Sequence, residues 1–337
     1  MRLTIAIPTF DRNDLVADAV GRLLGQDERA FRLLVIDNCS PEPVERTLEA
    51  ALGRETREKV TLVRNAVNIG GNANIVRCFE LCETEWLWIL GDDDVPADGC
   101  VRRILNAVEA HPTSVFHVFH RPATLEIPAY SETVGRDGLL KRIDDFTTYG
   151  TVGFLSTGVY RASRLKPFVK YGYHYAYTWY PHMAMLLMAL GTDGVCSFVN
   201  EAIVADVNRA PSDQLWNWMH VSLGATAMLD LPLSQLARRK LQKVLRSGNR
   251  PSRFAVDLAR RSLVEGDRHQ NLYVFDQINY RLGFRDRSLV HRVNGRLWRL
   301  VVRYPEYAFP AIRLLSRLAR PGVEPPSLPE RMPESFR

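Results

Sequence analysis

The sequence predicts an α/β fold on a parallel, right-handed sheet, and three observations carry that prediction. A short apolar run followed by a segment of helical spacing recurs four times in the first 110 residues. The residues that follow each apolar run are small or polar, as expected where strands of such a sheet end. The chain has 337 residues of which 46% are apolar, enough for a sizeable core and for two or three domains. It carries no repeat or low-complexity tract, which excludes collagen-like, disordered and solenoid classes.

Leu3 to Ile7 reads as the first strand, stopped by Pro8, and Arg12 to Leu24 as an amphipathic helix with apolar residues at Leu15, Val16, Ala19, Val20, Leu23 and Leu24. The unit repeats as Phe31 to Asp37 with Val44 to Leu52, as Val60 to Arg64 with Gly71 to Cys82, and as Trp86 to Leu90 with Asp98 to Glu109. Val115, Phe116, Val118 and Phe119 then read as a strand, Ala123 to Val134 as a hairpin or loop, and Gly138 to Tyr149 as a helix. Thr151 to Tyr160 reads as strand, Pro181 to Leu190 as helix, and Cys196 to Val207 as one or two strands closing an α/β domain near residue 210. That domain divides at residue 112 into two halves. Residues 211–320 have helical spacing throughout, broken at Pro232, Gly248 to Pro251, Gly283 and Pro305, and the proline-rich tail 321–337 is expected to be disordered.

Ligands of such sheets bind beyond the carboxyl ends of the strands. The residues there are Pro8-Thr9-Phe10-Asp11, Asp37-Asn38-Cys39-Ser40, Asn65 to Asn74, and Gly91-Asp92-Asp93-Asp94. Three carboxylates directly after the apolar run Trp86 to Leu90 would repel one another unless compensated. A hard divalent cation, Mg²⁺ or Mn²⁺, sharing its oxygen ligands between one or two carboxylates and a diphosphate is the simplest compensation. A solvated acidic turn before the next helix is the plainer alternative.

With these motifs in order, the chain over residues 1–210 resembles the family 2 glycosyltransferases of the GT-A fold. Ile5 to Arg12 is similar to the family's opening strand and turn, and Val35 to Ser40 to its second strand. Asn68-Ile69-Gly70-Gly71-Asn72-Ala73-Asn74 resembles its N-x-G-x-x-x-N segment, and Leu90 to Asp94 its DxD motif. The resemblance implies a nucleoside-diphosphate-sugar donor held by Pro8, Thr9, Asp37, Asn68, Gly70, Asn74, Asp92 and Asp93, with the metal on Asp94 and Asp92. It further implies a single inverting displacement in which a base deprotonates the acceptor hydroxyl. Relatives supply that base from a Glu-Asp pair at the start of a helix, where this chain has Tyr180-Pro181-His182-Met183. Either His182 takes the role, as an imidazole can near neutral pH, or Asp206 does; otherwise His182 positions an aromatic wall. Arg209, followed by Trp216 and Trp218, stands where many relatives carry a mobile loop over the donor phosphates, and is expected to contact them. Tyr171, Tyr173, Tyr175, Tyr177, Trp179 and Tyr180 form either a platform for sugar rings or packing.

The net charge of +6 is unevenly placed: residues 231–320 hold 20 Lys and Arg against 6 Asp and Glu, while residues 1–230 hold 22 against 29. Basic helices with interleaved Leu, Val, Trp and Tyr suit an anionic membrane surface and thereby a lipid-linked glycan acceptor in bacterial O-antigen or capsule assembly; a helical cap or oligomer interface is the alternative. Nucleic acid is not expected, because no recognition motif accompanies the charge. The N-terminal apolar run is too short for an export signal, the longest apolar stretch falls short of a membrane span, and the five cysteines lack a C-x-x-C pair. A cytosolic protein, peripheral on the inner face of the membrane, is the expectation. Two rival readings are a nucleotidyltransferase, for which Pro8 to Asn13 lacks the Gly-rich basic loop, and a catalytically degenerate scaffold that binds nucleotide sugar or membrane.

Overall fold

β1 (Leu3–Thr9) is buried along nearly its whole length because its side chains alternate between two covered faces. Leu3, Ile5 and Ile7 join one apolar cluster and Ala6 the other, the period of two expected of a strand sandwiched between helical layers. The computed structural model describes residues 1–120, 130–143, 146–205, 218–248, 251–264, 267–282, 289–308 and 310. In chain order the first half continues with α1 (Asn13–Leu24), β2 (Phe31–Asp37), α2 (Val44–Leu52), α3 (Arg54–Arg57), β3 (Val60–Arg64), α4 (Gly71–Leu81), β4 (Trp86–Ile89) and α5 (Cys100–Ala110). These are the four strand–helix units expected from the sequence.

The second half contains β5 (Ser114–Phe119), β6 (Tyr130–Val134), α6 (Gly135–Arg142), α7 (Phe146–Val152), β7 (Gly158–Arg161), α8 (Ala162–Leu165), α9 (Val169–His174), α10 (Pro181–Leu190) and β8 (Val195–Val199). Two expectations change here. The helix read over Gly138 to Tyr149 is two helices, α6 and α7. The strand read from Thr151 begins only at Gly158, because α7 runs to Val152 and a 3₁₀ turn occupies Leu155–Thr157. The hairpin region before Tyr130 and the tail beyond residue 320 lie outside the described residues.

The described strands form one sheet in the order β3-β2-β1-β4-β7-β5-β8-β6. The first four are parallel, as the strand–helix alternation requires, but β7 runs antiparallel between β4 and β5, and β6 closes the edge antiparallel to β8. The sheet is therefore mixed. Its register aligns Thr9 with Asp37 and Asp37 with Arg64, and the Leu90 amide donates to the Ala6 carbonyl, so the four parallel strands end on one edge.

The helices after β8 are α11 (Trp218–Ala227), α12 (Gln235–Gly248), α13 (Pro251–Val264), α14 (Arg268–Arg281) and α15 (Leu289–Arg303). Leu231, Ala237, Leu241, Val244 and Leu245 belong to the same buried cluster as Ala6, Phe79 and Met185. α10 lies at the centre of that cluster, with every residue except Met188 buried. A helix apolar all round is one enclosed on every side.

Candidate active site

The site is built at the edge where β1, β2, β3 and β4 end. Asp92 is about nine-tenths buried; its Oδ2 accepts from the Thr9 hydroxyl at 2.8 Å and its Oδ1 from the Arg12 guanidinium at 2.6 Å. Burial pushes the Asp92 carboxyl above the usual carboxylate range, while Arg12 and Thr9 oppose that shift by favouring the charged form. Arg12 also stands 3.6 Å from Asp93, so one cation faces two of the three carboxylates.

Asp94 is held from the other half of the domain. Ser156, on the turn before β7, donates its hydroxyl to Asp94 Oδ2 at 2.5 Å and accepts from the Gly91 amide at 2.8 Å, while its carbonyl accepts from the Trp88 indole at 2.9 Å. Gly91 is needed for this arrangement: a Cβ there would stand 2.8 Å from Asp94 Oδ2 and 3.2 Å from Asp93 Oδ1. Among the described residues no group of three or more His, Cys, Asp or Glu could hold a metal ion by itself. The donor set is carboxylate oxygen at the mouth of a strand, which fits a hard cation only if a diphosphate supplies other ligands.

Asp37, at the end of β2, is buried; its Oδ1 accepts from the Ser40 amide at 2.8 Å and its Oδ2 from Arg64, whose guanidinium also reaches the Ser40 carbonyl at 2.7 Å. Four asparagines form a network beside it. Asn38 donates to Asn68 at 2.7 Å, and its Oδ1 accepts from Asn65 at 2.9 Å and from the Ile69 amide at 3.0 Å. Asn65 also donates to Asn74 at 2.9 Å, and Asn74 donates to the Ile36 carbonyl at 2.9 Å. This network fixes the loop that carries Asn68 and Gly70, both exposed, to the N-terminus of α4, which no side chain caps. Among the described residues, Asp11 and Cys39 are the non-glycines with positive φ, at 54° and 65°, in the loops after β1 and β2. Such backbone is costly and collects at functional sites.

The structure places Pro8, Thr9, Asp37, Asn68, Gly70, Asp92, Asp93 and Asp94 along the same edge of the sheet. Asn74, expected around the donor's base and ribose, is instead buried beneath the loop with its amide committed to Asn65 and Ile36. The expectation for His182 as an acceptor base also changes. His182 is 2% exposed, its Nε2 lies 2.9 Å from the Gly153 carbonyl, and Tyr160 and Tyr180 stand beside it. Burial pushes its imidazole down to about 4, leaving it neutral and walled off in the core. Asp206 and Arg209 lie outside the described residues; before them, the Ala205 amide donates to the carbonyl of Val95, the residue after Asp94, at 2.8 Å.

Sequence reasoning missed five positions that organise the site. Arg12 and Asn38 stood inside quoted motifs without a role, and Asn65 and Arg64 only bounded a loop and a strand. Ser156 carried no sequence signal, since it is 62 residues from the aspartate it holds.

Comparison with known proteins finds that residues 4–163 match the family described as Glycosyl transferase family 2. A Haemophilus influenzae protein described as an uncharacterized glycosyltransferase is 26% identical over 125 residues, 37% of this chain and 40% of that relative's length. Among solved structures, the fold is similar to that of Staphylococcus aureus TarS 1–349, with a TM-score of 0.58 at 13% identity over 91% of this chain and 92% of that one. It is also similar to the mannosyltransferase PcManGT from Pyrobaculum calidifontis, with a TM-score of 0.51 at 10% identity over 90% and 84% of the two chains.

Proposed function

Residues 4–163 form a glycosyl transferase family 2 domain, and from that premise we propose that the chain transfers a sugar from a nucleoside-diphosphate donor to a glycan acceptor, inverting the anomeric carbon. The observation that carries this reading is the trio of carboxylates at the end of β4, held by Thr9, Arg12 and Ser156 beside the asparagine-fixed loop. TarS in complex with UDP-GlcNAc, and PcManGT in complex with GDP-Man and Mn²⁺, support the donor class and a divalent cation.

In this reading Asp37 and Asn68 face the nucleoside and the uncapped amides of α4 face the diphosphate, with Arg209 assigned to the diphosphate by its charge. Asp94, with Asp92 or Asp93, would hold Mg²⁺ or Mn²⁺. When bound, the cation neutralises charge on the departing nucleoside diphosphate. Asp206 is assigned the proton from the acceptor hydroxyl; its chain neighbour Ala205 donates its amide to the Val95 carbonyl. A lipid-linked glycan in surface-polysaccharide assembly suits the basic charge of residues 231–320, and the exposed Tyr177 and Trp179 beside α10 offer faces for its rings.

The test is thermal stabilisation by UDP-, GDP-, dTDP- and CDP-sugars with and without Mn²⁺. A ligand at 100 times its dissociation constant adds about 2.7 kcal/mol. The expected result is a Mn²⁺-dependent shift with one nucleotide, abolished in Asp94→Ala. Folded protein that shifts with none of them would overturn the donor site and favour the scaffold.

A further inference from the structure

The basic C-terminal helices differ in what their apolar faces do. α12 buries Ala237, Leu241, Val244 and Leu245 in the common core and leaves the single Leu236 exposed. α15 is fixed to α14 from one side, where Arg299 donates to both oxygens of Asp276 at 3.0 Å and Val302 is fully buried. Its other side is open. Val293, Leu297 and Leu300 are 47%, 57% and 50% exposed, and Tyr304 and Tyr307, directly after the helix, are 40% and 76% exposed. The spacing of four and three residues puts Val293, Leu297 and Leu300 on one helical face, and the two exposed tyrosines follow at its end. Arg296 and Arg303 are exposed beside that stripe, and the Arg303 guanidinium lies over the Tyr304 ring.

We propose that this face of α15 docks on an anionic lipid surface. Charge chooses the occupant. The segment Leu289–Arg303 contains four arginines and no carboxylate, and Glu306 just beyond it is bound to Arg268 at 3.0 Å. A second copy of the chain would bring an equal set of arginines to the interface. The chain's own residues 311–320 would likewise add Arg313, Arg317 and Arg320 without a single acid. An anionic bilayer offers acyl chains to the leucines, an interfacial layer suited to tyrosine, and phosphates to the arginines. No described helix is long and apolar enough to cross a membrane, so the contact lies in the plane of the interface.

The experiment is flotation of the full chain with vesicles of phosphatidylcholine alone and with about 30% phosphatidylglycerol. Binding is expected only to the anionic vesicles, weakened at least about tenfold by about 0.5 M salt. The variants Leu297→Glu with Leu300→Glu, and separately Arg296→Glu with Arg303→Glu, are each expected to lose at least about tenfold in binding. These exposed positions should leave the melting temperature and donor-induced stabilisation unchanged. Equal binding to neutral vesicles, no binding to either, or unaltered binding by the leucine variant would overturn the proposal. So would sedimentation velocity showing a lipid-free dimer that the leucine variant dissociates, which would give the face to a second copy.

Discussion

His182 shows how a residue's neighbours override its type. An imidazole ahead of an apolar helix reads as a candidate base, but burial against Tyr160, Tyr180 and Gly153 keeps it neutral, its imidazole pushed down to about 4. His182→Gln is therefore expected to leave kcat within about threefold, whereas loss of a general base costs about a hundredfold or more. Because the folded state depresses this group, its contribution to stability is complete above the unfolded value near 6.5 and is lost as pH falls towards about 4. Urea denaturation across that window should show a steeper loss in the wild type than in His182→Gln. Asp92 has the opposite sign, since burial raises its carboxyl and the charged form weakens the fold at neutral pH. Asp92→Asn is expected to be tolerated better at pH 7 than at a pH below the ordinary carboxyl value near 3.8, where the wild-type carboxyl is protonated in both states, while abolishing donor-induced stabilisation. Denaturation at both pH values with donor titration checks it.

Among elements, α10 and β7 decide how the two halves meet. β7 is antiparallel inside an otherwise parallel neighbourhood, which delivers Ser156 to the end of β4, where it can hold Asp94. α10 packs behind it, apolar on every side, so it senses a cavity on any face. Leu186→Ala is expected to cost about 2–5 kcal/mol without changing which nucleotide is bound. Denaturant titration beside the donor panel separates the two effects. The helical spacing of Pro181 to Leu190 was legible in the sequence, as were β1 to β4 and their helices. The split of residues 135–152 into two helices was not, because the chain leaves the helix at Ile143 with no Gly or Pro to mark the break.

For the whole molecule, the C-terminal helices share their core with the sheet domain. Leu231, Leu241 and Leu245 are buried in one cluster with Phe79, Leu140 and Met185. A chain ending at residue 210 is expected to expose that surface, losing cooperative thermal unfolding and binding a hydrophobic dye, so that activity recovers only in the longer chain. Calorimetry of the two lengths is the check.

The sequence by itself determined the order of strands and helices in the first half, the edge on which they end, and the carboxylates presented there, because apolar periodicity and the step from apolar run to polar loop are local properties of the chain. Only the tertiary structure decided that Arg12 and Thr9 hold Asp92, that Ser156 holds Asp94, that His182 and Asn74 are buried, and that α15 rather than α12 leaves an apolar face open. Each of these depends on groups brought together from distant parts of the chain, as Thr9 and Asp92 are across 83 residues, and burial is set by whatever the fold stacks on a side chain rather than by its neighbours in sequence.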